Sequence, residues 1–445
     1  MIAATARMAK TTRQEPKALN RSLNFWQVTA SGVGIIIGAG IYVLIGTATQ
    51  EAGSAVWLAF VLAGVLSALS ALSYAELAAM FPSAGAEYEF ARKAFNEFIG
   101  FVTGWMMVIA LLIAAGTVSI GFGQYAQHFV DINGRLASLI LLTAMTAVIM
   151  TGIQRSIWLT VTLAVLQVGG LLIVIASGVG HVGDRSLIEG ATVGGVLSGA
   201  ALVFFAFIGF DEVVTLSEET RDASRVIPRA LLAGLAIATT LYVLVAIAAV
   251  SIIGADALAG SERPLALVME HDLGSRASDV VAAIALAATT NTTLLAMTAA
   301  SRNLYAMARS GSLPAMIARL GRTQAPWLAA LLGLGVATVF ALTADIGLAA
   351  SVTDFAVYGI FIVVNVSVIV LRRKHPEIRR PFAVPLAPRG VPMLPVAAIV
   401  TVVVMLARLE RDAWILGSLA VAAGGVAWTL LRLLRPAPER AATGS

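Results

Sequence analysis

Long uncharged, mostly apolar stretches alternate with short polar segments along the whole chain. They cover residues 22–50, 52–75, 98–130, 136–154, 156–183, 190–210, 230–255, 280–301, 323–344, 355–371, 390–407 and 413–431. A membrane-spanning helix needs about 20 such residues, within a range of roughly 17 to 25. Most of the stretches reach that length, and the short ones near 355 and 390 are expected to borrow flanking residues. The pattern predicts an all-α integral membrane protein of about twelve transmembrane helices. Buried helices of a large soluble protein do not give so many uncharged runs in succession.

Two of the stretches are interrupted in a similar way. The first contains Ser31-Gly-Val-Gly-Ile-Ile-Ile-Gly-Ala-Gly40, with glycines at 32, 34, 38 and 40. The sixth contains Phe204-Phe-Ala-Phe-Ile-Gly-Phe-Asp-Glu212. Paired, glycine-interrupted segments in the two halves of a bundle mark the substrate site of an inverted-repeat transporter. Where a helix unwinds inside a membrane, its free N–H and C=O groups persist only against protein, water or a ligand. N–H groups at a half-helix start attract an anion. C=O groups at a half-helix end attract a cation. An α-amino acid zwitterion presents both charges. Small residues also serve plain helix packing, and for the glycines within 163–178 that reading is preferred.

Composition narrows the class. Only 12% of residues are charged, against about 25% in an ordinary soluble chain, too few to cover a water-facing surface. The absence of cysteine rules out disulfides and thiolate chemistry. Four scattered histidines (His128, His181, His271 and His375) make no metal set and are expected at the surface. No HExxH or GxSxG motif is present, which argues against an intramembrane enzyme. The charge falls between the apolar stretches, so no basic patch for nucleic acid is expected.

The charges also set the orientation. With the N-terminus cytoplasmic and the spans alternating, the opposite side carries six basic residues (Arg135, Arg185, Arg263, Arg276, Arg408 and Arg411), leaving 24 of the 30 on the cytoplasmic side. That is the arrangement the positive-inside rule favours. The cluster Arg372-Arg373-Lys374 with Arg379-Arg380 reads as a topology anchor or an anionic-lipid contact. The expected organisation is a cytoplasmic tail over 1–22, a transmembrane domain over 23–433 and a cytoplasmic tail over 434–445. The first apolar stretch is too long for a signal sequence and is expected to remain as a helix. The expected location is the cell (inner) membrane, with both termini in the cytoplasm.

Four motifs in order resemble those of the amino acid–polyamine–organocation permeases. They are Gly34-Ile-Ile-Ile-Gly38-Ala-Gly40-Ile-Tyr42; Ser73-Tyr-Ala-Glu76-Leu with Phe81-Pro-Ser-Ala-Gly85-Ala-Glu-Tyr88; Phe207-Ile-Gly-Phe-Asp211 with Glu218-Glu-Thr220 and Ile227-Pro228-Arg229; and Ser301-Arg302-Asn-Leu-Tyr305-Ala-Met-Ala-Arg309-Ser-Gly311 with Leu313-Pro314. The chain is most similar to the cationic-amino-acid-transporter-like branch. The resemblance implies a 5+5 inverted repeat with helices 1 and 6 unwound, followed by two additional helices. Repeat one would run over about 23–180, repeat two over about 190–375, and helices 11 and 12 over about 390–433.

It also implies roles. The backbone at Ile37, Gly38, Ala39, Gly40 and Ile41 would receive the substrate carboxylate. Carbonyls near Phe204 to Phe207, with those near Ile35 and Ile36, would hold the α-ammonium. Phe205 matches the aromatic gate, although plain packing is open to it. Candidate side chains facing the substrate are Asn291, Thr117, Ser119 and Tyr358.

The coupling reading stays open. Proton-coupled relatives often carry a lysine in helix 5, whereas residues 156–180 contain none and Gln167 is their strongly polar side chain. Asp211 is a candidate for proton coupling, for a basic substrate, or for holding the break together. Glu76 and Arg302 read as loop anchors or gating contacts. Thr289, Thr290, Thr292 and Thr293 around Asn291 would supply hydroxyls to a sodium ion. Possible coupling ions are therefore H+ and Na+, with exchange or uniport needing neither, and no other cofactor is expected. With Asp211 the sole obvious counter-ion, neutral amino acids are the first expectation, and cationic amino acids or polyamines the next. A non-transporting amino acid sensor would carry the same site. The expected partners are the amino acid and membrane lipid, with the chain a monomer or homodimer.

Overall fold

The computed structural model describes residues 23–433 except 82–85, 152–156, 217–219 and 324. The tails at 1–22 and 434–445, and the motif residues 82–85 and 218–219, lie outside the described residues. The helices in chain order are α1 (Phe25–Ile36), α2 (Gly40–Ala52), α3 (Val56–Met80), α4 (Ala86–Ala94), α5 (Glu97–Ala126), α6 (Gly134–Met150), α7 (Ile157–Gly178), α8 (Val193–Val203), α9 (Glu212–Thr215), α10 (Ala223–Ile253), α11 (Ala255–Ala259), α12 (Pro264–Leu273), α13 (Ser275–Arg309), α14 (Trp327–Thr343), α15 (Ile346–Lys374), α16 (Met393–Leu406) and α17 (Arg411–Leu433).

The protein is an all-α, multi-pass membrane bundle. Among the described residues, eight segments are long and apolar enough to cross a membrane, and four shorter apolar helices accompany them: Phe25–Ile36, Gly134–Met150, Trp327–Thr343 and Met393–Leu406. Each of the uncharged sequence stretches overlaps one of these helices. About twelve spans are expected from the sequence; eight segments among the described residues reach spanning length, and the other four apolar helices fall short of it. The short stretch at 355 does borrow residues: α15 begins nine positions earlier, at Ile346.

Helix ends follow local chemistry. Asn24 and Gln27 form a capping box at the start of α1, satisfying N–H groups that the first turn leaves free. The Asn96 side chain accepts from the Ile99 N–H at the start of α5, and Asp345 accepts from the Leu348 N–H at the start of α15. Between the spans, apolar burial supplies little drive in lipid, so close packing matters. Gly170 and Gly178 on α7 illustrate it. A Cβ at Gly178 would come within 2.3 Å of Ala248 on α10, and one at Gly170 within 2.5 Å of the Tyr42 hydroxyl. The packing reading fits Gly170 and Gly178, whereas a Cβ at Gly169 would meet nothing within 4 Å.

The core surrounds α1, α2, α8 and the middle of α10, α13 and α15. Buried tyrosines stitch it. Tyr42 donates to the Gln167 carbonyl (2.6 Å), Tyr125 to the Tyr42 carbonyl (2.9 Å) and Tyr358 to the Ala201 carbonyl (2.9 Å). Large apolar side chains such as Val165, Leu172, Val339, Val400 and Leu419 are exposed on the outer helices, where lipid rather than water would meet them.

Candidate functional site

The two interruptions are real breaks in the backbone, and they meet. α1 ends at Ile36, residues 37–39 are non-helical, and α2 restarts at Gly40. α8 ends at Val203, passes into a 3-10 turn over Phe204–Phe207, and restarts as α9 only at Glu212. Gly209 adopts φ +111°, a conformation that side-chain-bearing residues rarely take. A Cβ there would also lie 3.1 Å from the Ile35 side chain, so the second break packs on the end of α1. At the first break a Cβ on Gly40 would lie 2.6 Å from the Ala206 Cα. Glycine is needed at position 40 so that the two unwound segments can touch.

The residues named from the sequence gather around this contact. Ile36, Ile37, Ala39, Gly40, Ile41, Phe204, Phe205 and Phe207 are buried, as is Asn291 on α13. Ile35 and Gly38 are partly buried. Thr292 accepts a hydrogen bond from the Ala39 N–H at 3.1 Å, and a Cβ on Gly38 would come 2.9 Å from its hydroxyl. Of the amides expected to be free, that of Ala39 is thus taken by α13, that of Ile37 by the Val33 carbonyl (2.8 Å) and that of Gly38 by the Ile36 carbonyl (2.8 Å), so the expectation narrows to the amides from Gly40 onward. Carbonyls are engaged as well. The Tyr242 hydroxyl on α10 lies within hydrogen-bonding distance of both the Ile36 carbonyl (2.9 Å) and the Ala206 carbonyl (3.0 Å), sharing one proton between the ends of the two half-helices.

The candidate coupling residues divide. Thr289 and Thr290 donate back to carbonyls one turn earlier on α13, the ordinary behaviour of threonine in a helix. The Thr293 hydroxyl and both polar atoms of the Gln167 side chain are buried with no hydrogen-bond partner. Asp211 is almost fully buried and accepts the Gly209 N–H at 3.2 Å, so it holds the turn that follows the second break. Thr117 and Ser119 donate within their own helix, and the Tyr358 hydroxyl is taken by the Ala201 carbonyl.

Several expectations need correction. Asp211 is not the sole acid near the breaks. Asp354 on α15 is fully buried, neither carboxylate oxygen has a hydrogen-bond partner, and the Phe205 N–H faces it. The sequence pattern hides it, because it sits immediately before the uncharged stretch at 355–371 and reads as a boundary charge. His128 is half-buried rather than freely exposed. Its side chain is 15% exposed and joins Asp279 (2.7 Å) to Arg263, linking the ends of α5 and α13 to the segment before α12. The basic cluster is not uniformly turned outward. Arg372 donates through two nitrogens to Glu76, Arg380 lies 3.5 Å from the same carboxylate, and the Val384 N–H donates to it at 2.7 Å. Arg373 and Lys374 remain exposed. Glu76 is therefore an anchor, and its partners come from the other half of the chain.

Outside the spans, Glu87 on α4 is buried within reach of the Asp211 charge. Burial first, and then the charge of Asp211, pushes its carboxyl up to about 8.

Comparison with known proteins agrees with this geometry. A family model described as amino acid permease matches residues 23–419. The chain is 29% identical over 407 residues to a branched-chain amino acid permease of Bacillus subtilis (strain 168), covering 86% of this chain and 87% of that one. It is 31% identical over 427 residues to an uncharacterized transporter of Mycobacterium tuberculosis (strain ATCC 25618 / H37Rv), covering 95% and 94%. It is 31% identical over 389 residues to a vacuolar cationic amino acid transporter of Arabidopsis thaliana, covering 81% of this chain and 61% of that one. The similarity is not confined to the cationic branch.

Proposed function

This chain belongs to the amino acid permease family, and we propose that it carries neutral amino acids across the cytoplasmic membrane by alternating access. The observation that carries the reading is the contact between the two broken helices, where Gly40 meets Ala206 and Gly209 meets Ile35. A zwitterion fits between a half-helix start and a half-helix end. In this reading the N–H groups at the start of α2, from Gly40 and Ile41, receive the carboxylate, because those of Ile37, Gly38 and Ala39 are already bonded, and the carbonyls at Ile35 and the Phe204–Phe207 turn receive the ammonium. The Phe205 ring covers the bound molecule. The surrounding side chains are isoleucine and phenylalanine, which suits an apolar substrate side chain.

The same reading takes eight long and four short helices as twelve crossings, with both termini in the cytoplasm and the first ten helices in two inverted repeats. Arginines at the cytoplasmic ends of α13 and α15 support that orientation. A second reading, transport of cationic amino acids or polyamines, is favoured by the carboxylate of Asp354 near Phe205.

The test is radiolabelled uptake into liposomes holding the purified protein, with leucine, alanine, arginine and putrescine each run into empty and preloaded vesicles. Preference for leucine or alanine supports the first reading, and a strong preference for arginine or putrescine moves the assignment to the second. Saturable binding without flux would make the chain a sensor.

A further inference from the structure

We propose that Asp354 is the proton-binding residue of this transporter, and that closing the substrate site requires it to be protonated. The proposal rests on the transport reading above and adds the coupling ion and the group that carries it.

Asp354 is the ninth residue of α15, about 12 Å from the start of that helix at 1.5 Å per residue. It is therefore well inside the span and not at its mouth. Its relative exposure is 0%, and both oxygens lack a hydrogen-bond partner. An ionised carboxylate in such a place costs several kcal/mol unless a cation or good donors attend it. The polar group facing it is the Phe205 N–H, which is not in hydrogen-bonding geometry. The end of α8 and the 3-10 turn after it present the negative end of a half-helix. A negative carboxylate beside a negative helix end calls for a positive partner, and a proton is the smallest.

Among the described residues, no other ionisable group on the packed elements supplies that charge. Tyr358, one turn along α15, donates to Ala201. Tyr42 on α2 donates to Gln167, and Tyr125 on α5 donates to Tyr42. Tyr74 on α3 packs on Phe361, two turns further along α15. The acids of these helices (Glu51, Glu76, Glu87, Glu89, Glu97 and Asp412) lie near helix ends. So do the basic residues of α4 and α17 (Arg92, Lys93, Arg411 and Arg432) and the run Arg372-Arg373-Lys374 that closes α15. α8 and α16 carry no ionisable side chain.

The position connects protonation to gating. Asp354 faces the backbone of Phe205, the proposed gate, and the Phe204 ring packs tilted against Tyr358 at 4.8 Å. When water enters from either side, Asp354 can ionise. To re-close the site it must take a proton from the side to which it is open. It releases that proton when the opposite side opens. The lysine that helix 5 lacks is then not needed for proton coupling.

The test uses the full chain in liposomes loaded with a pH-sensitive dye, comparing wild type, Asp354→Asn and Asp354→Glu after checking that each elutes as a folded species in detergent. Leucine exchange without a gradient and leucine accumulation under an inward proton gradient are both read. For one proton per leucine, a gradient of one pH unit supports about tenfold accumulation. The wild type is expected to approach that ratio and to acidify the lumen as leucine enters. Asp354→Asn resembles the permanently protonated acid. It is expected to exchange leucine but to accumulate it to a ratio of about one, without acidification and with a flattened pH profile. Asp354→Glu is expected to restore driven uptake. Three results would overturn the proposal while leaving transport intact: wild-type exchange that no proton gradient drives; driven accumulation that persists in Asp354→Asn; or selective loss of arginine or putrescine uptake in Asp354→Asn without proton flux in the wild type, which would make Asp354 a substrate counter-ion. Wild-type vesicles that exchange no amino acid would remove the transport reading itself, and the proposal with it.

Discussion

The Tyr242 hydroxyl donates to the Ile36 carbonyl at 2.9 Å, at the last residue of the first half-helix. It lies as close, 3.0 Å, to the Ala206 carbonyl at the second break. One side chain from α10 therefore reaches backbone carbonyls at both interruptions, where buried polar groups need partners; the Ile36 carbonyl also accepts the Gly38 N–H at 2.8 Å. The Phe60 and Phe207 rings, at 5.6 and 5.2 Å, hold the tyrosine in place.

Tyr242→Phe is expected to keep the ring packing and to lose the bridge. The Ala206 carbonyl then loses this donor, and leaving a buried acceptor unsatisfied costs about 1–3 kcal/mol. The thermal midpoint in detergent should fall and leucine exchange should slow, with the protein still eluting as a folded species. An unchanged midpoint together with unchanged exchange would show that the bridge stabilises nothing.

Two glycines, one buried and one exposed, should respond in opposite ways. A Cβ at Gly40 would meet the Ala206 backbone at 2.6 Å, and backbone cannot swing aside. Gly40→Ala is expected to force the two breaks apart, lowering folded yield and abolishing uptake. Gly359 on α15 is exposed, and a Cβ there would have nothing within 4 Å. Gly359→Ala should be tolerated and gain about 0.5–1 kcal/mol from helix propensity. Fluorescence-detected size exclusion of both variants, followed by uptake, checks the pair.

The sequence carries the breaks and not the contacts between them. Glycines 38, 40 and 209 are visible because they interrupt an apolar stretch in each half of the chain, and that doubling points to one site. That Gly40 packs on Ala206 is not legible, since the two lie 166 positions apart and no local rule links them. Tyr242 is invisible for the same reason: a tyrosine in an apolar run looks like any amphipathic side chain. Asp354 is hidden by a different cause. A scan for uncharged runs places every acid at a run's edge, so an acid inside a longer helix looks like a loop residue.

The Glu76 and Arg372 pair should be strongly asymmetric to mutation. Glu76 is 1% exposed and accepts from Arg372 and the Val384 N–H, with Arg380 nearby. Removing one partner of a buried pair costs about 3–5 kcal/mol, because it strands the other charge. Arg372→Met and Glu76→Gln are each expected to lower the thermal midpoint sharply. The double variant should lose less than the two singles together, since neither charge is then left alone. Additive losses would show that the two side chains act separately, and would shift the anchoring role to Arg380.

Glu87 offers a test by pH. Its carboxyl is pushed up to about 8, by burial first and then by the charge of Asp211, from an ordinary value of 4.5. Between those values the folded protein holds a proton that the unfolded chain has released. Stability from this group is therefore complete below about pH 4.5 and declines as pH rises through about 8. Each tenfold difference in proton affinity is worth about 1.4 kcal/mol. Other carboxylates titrate over part of the same range, so the informative quantity is the difference between wild type and Glu87→Gln, which cannot ionise. The thermal midpoint of Glu87→Gln is expected to exceed that of wild type at about pH 8.5 and to converge with it near pH 5. A gap that is equal at both ends would mean that the glutamine alters packing alone and that Glu87 does not take up a proton on folding.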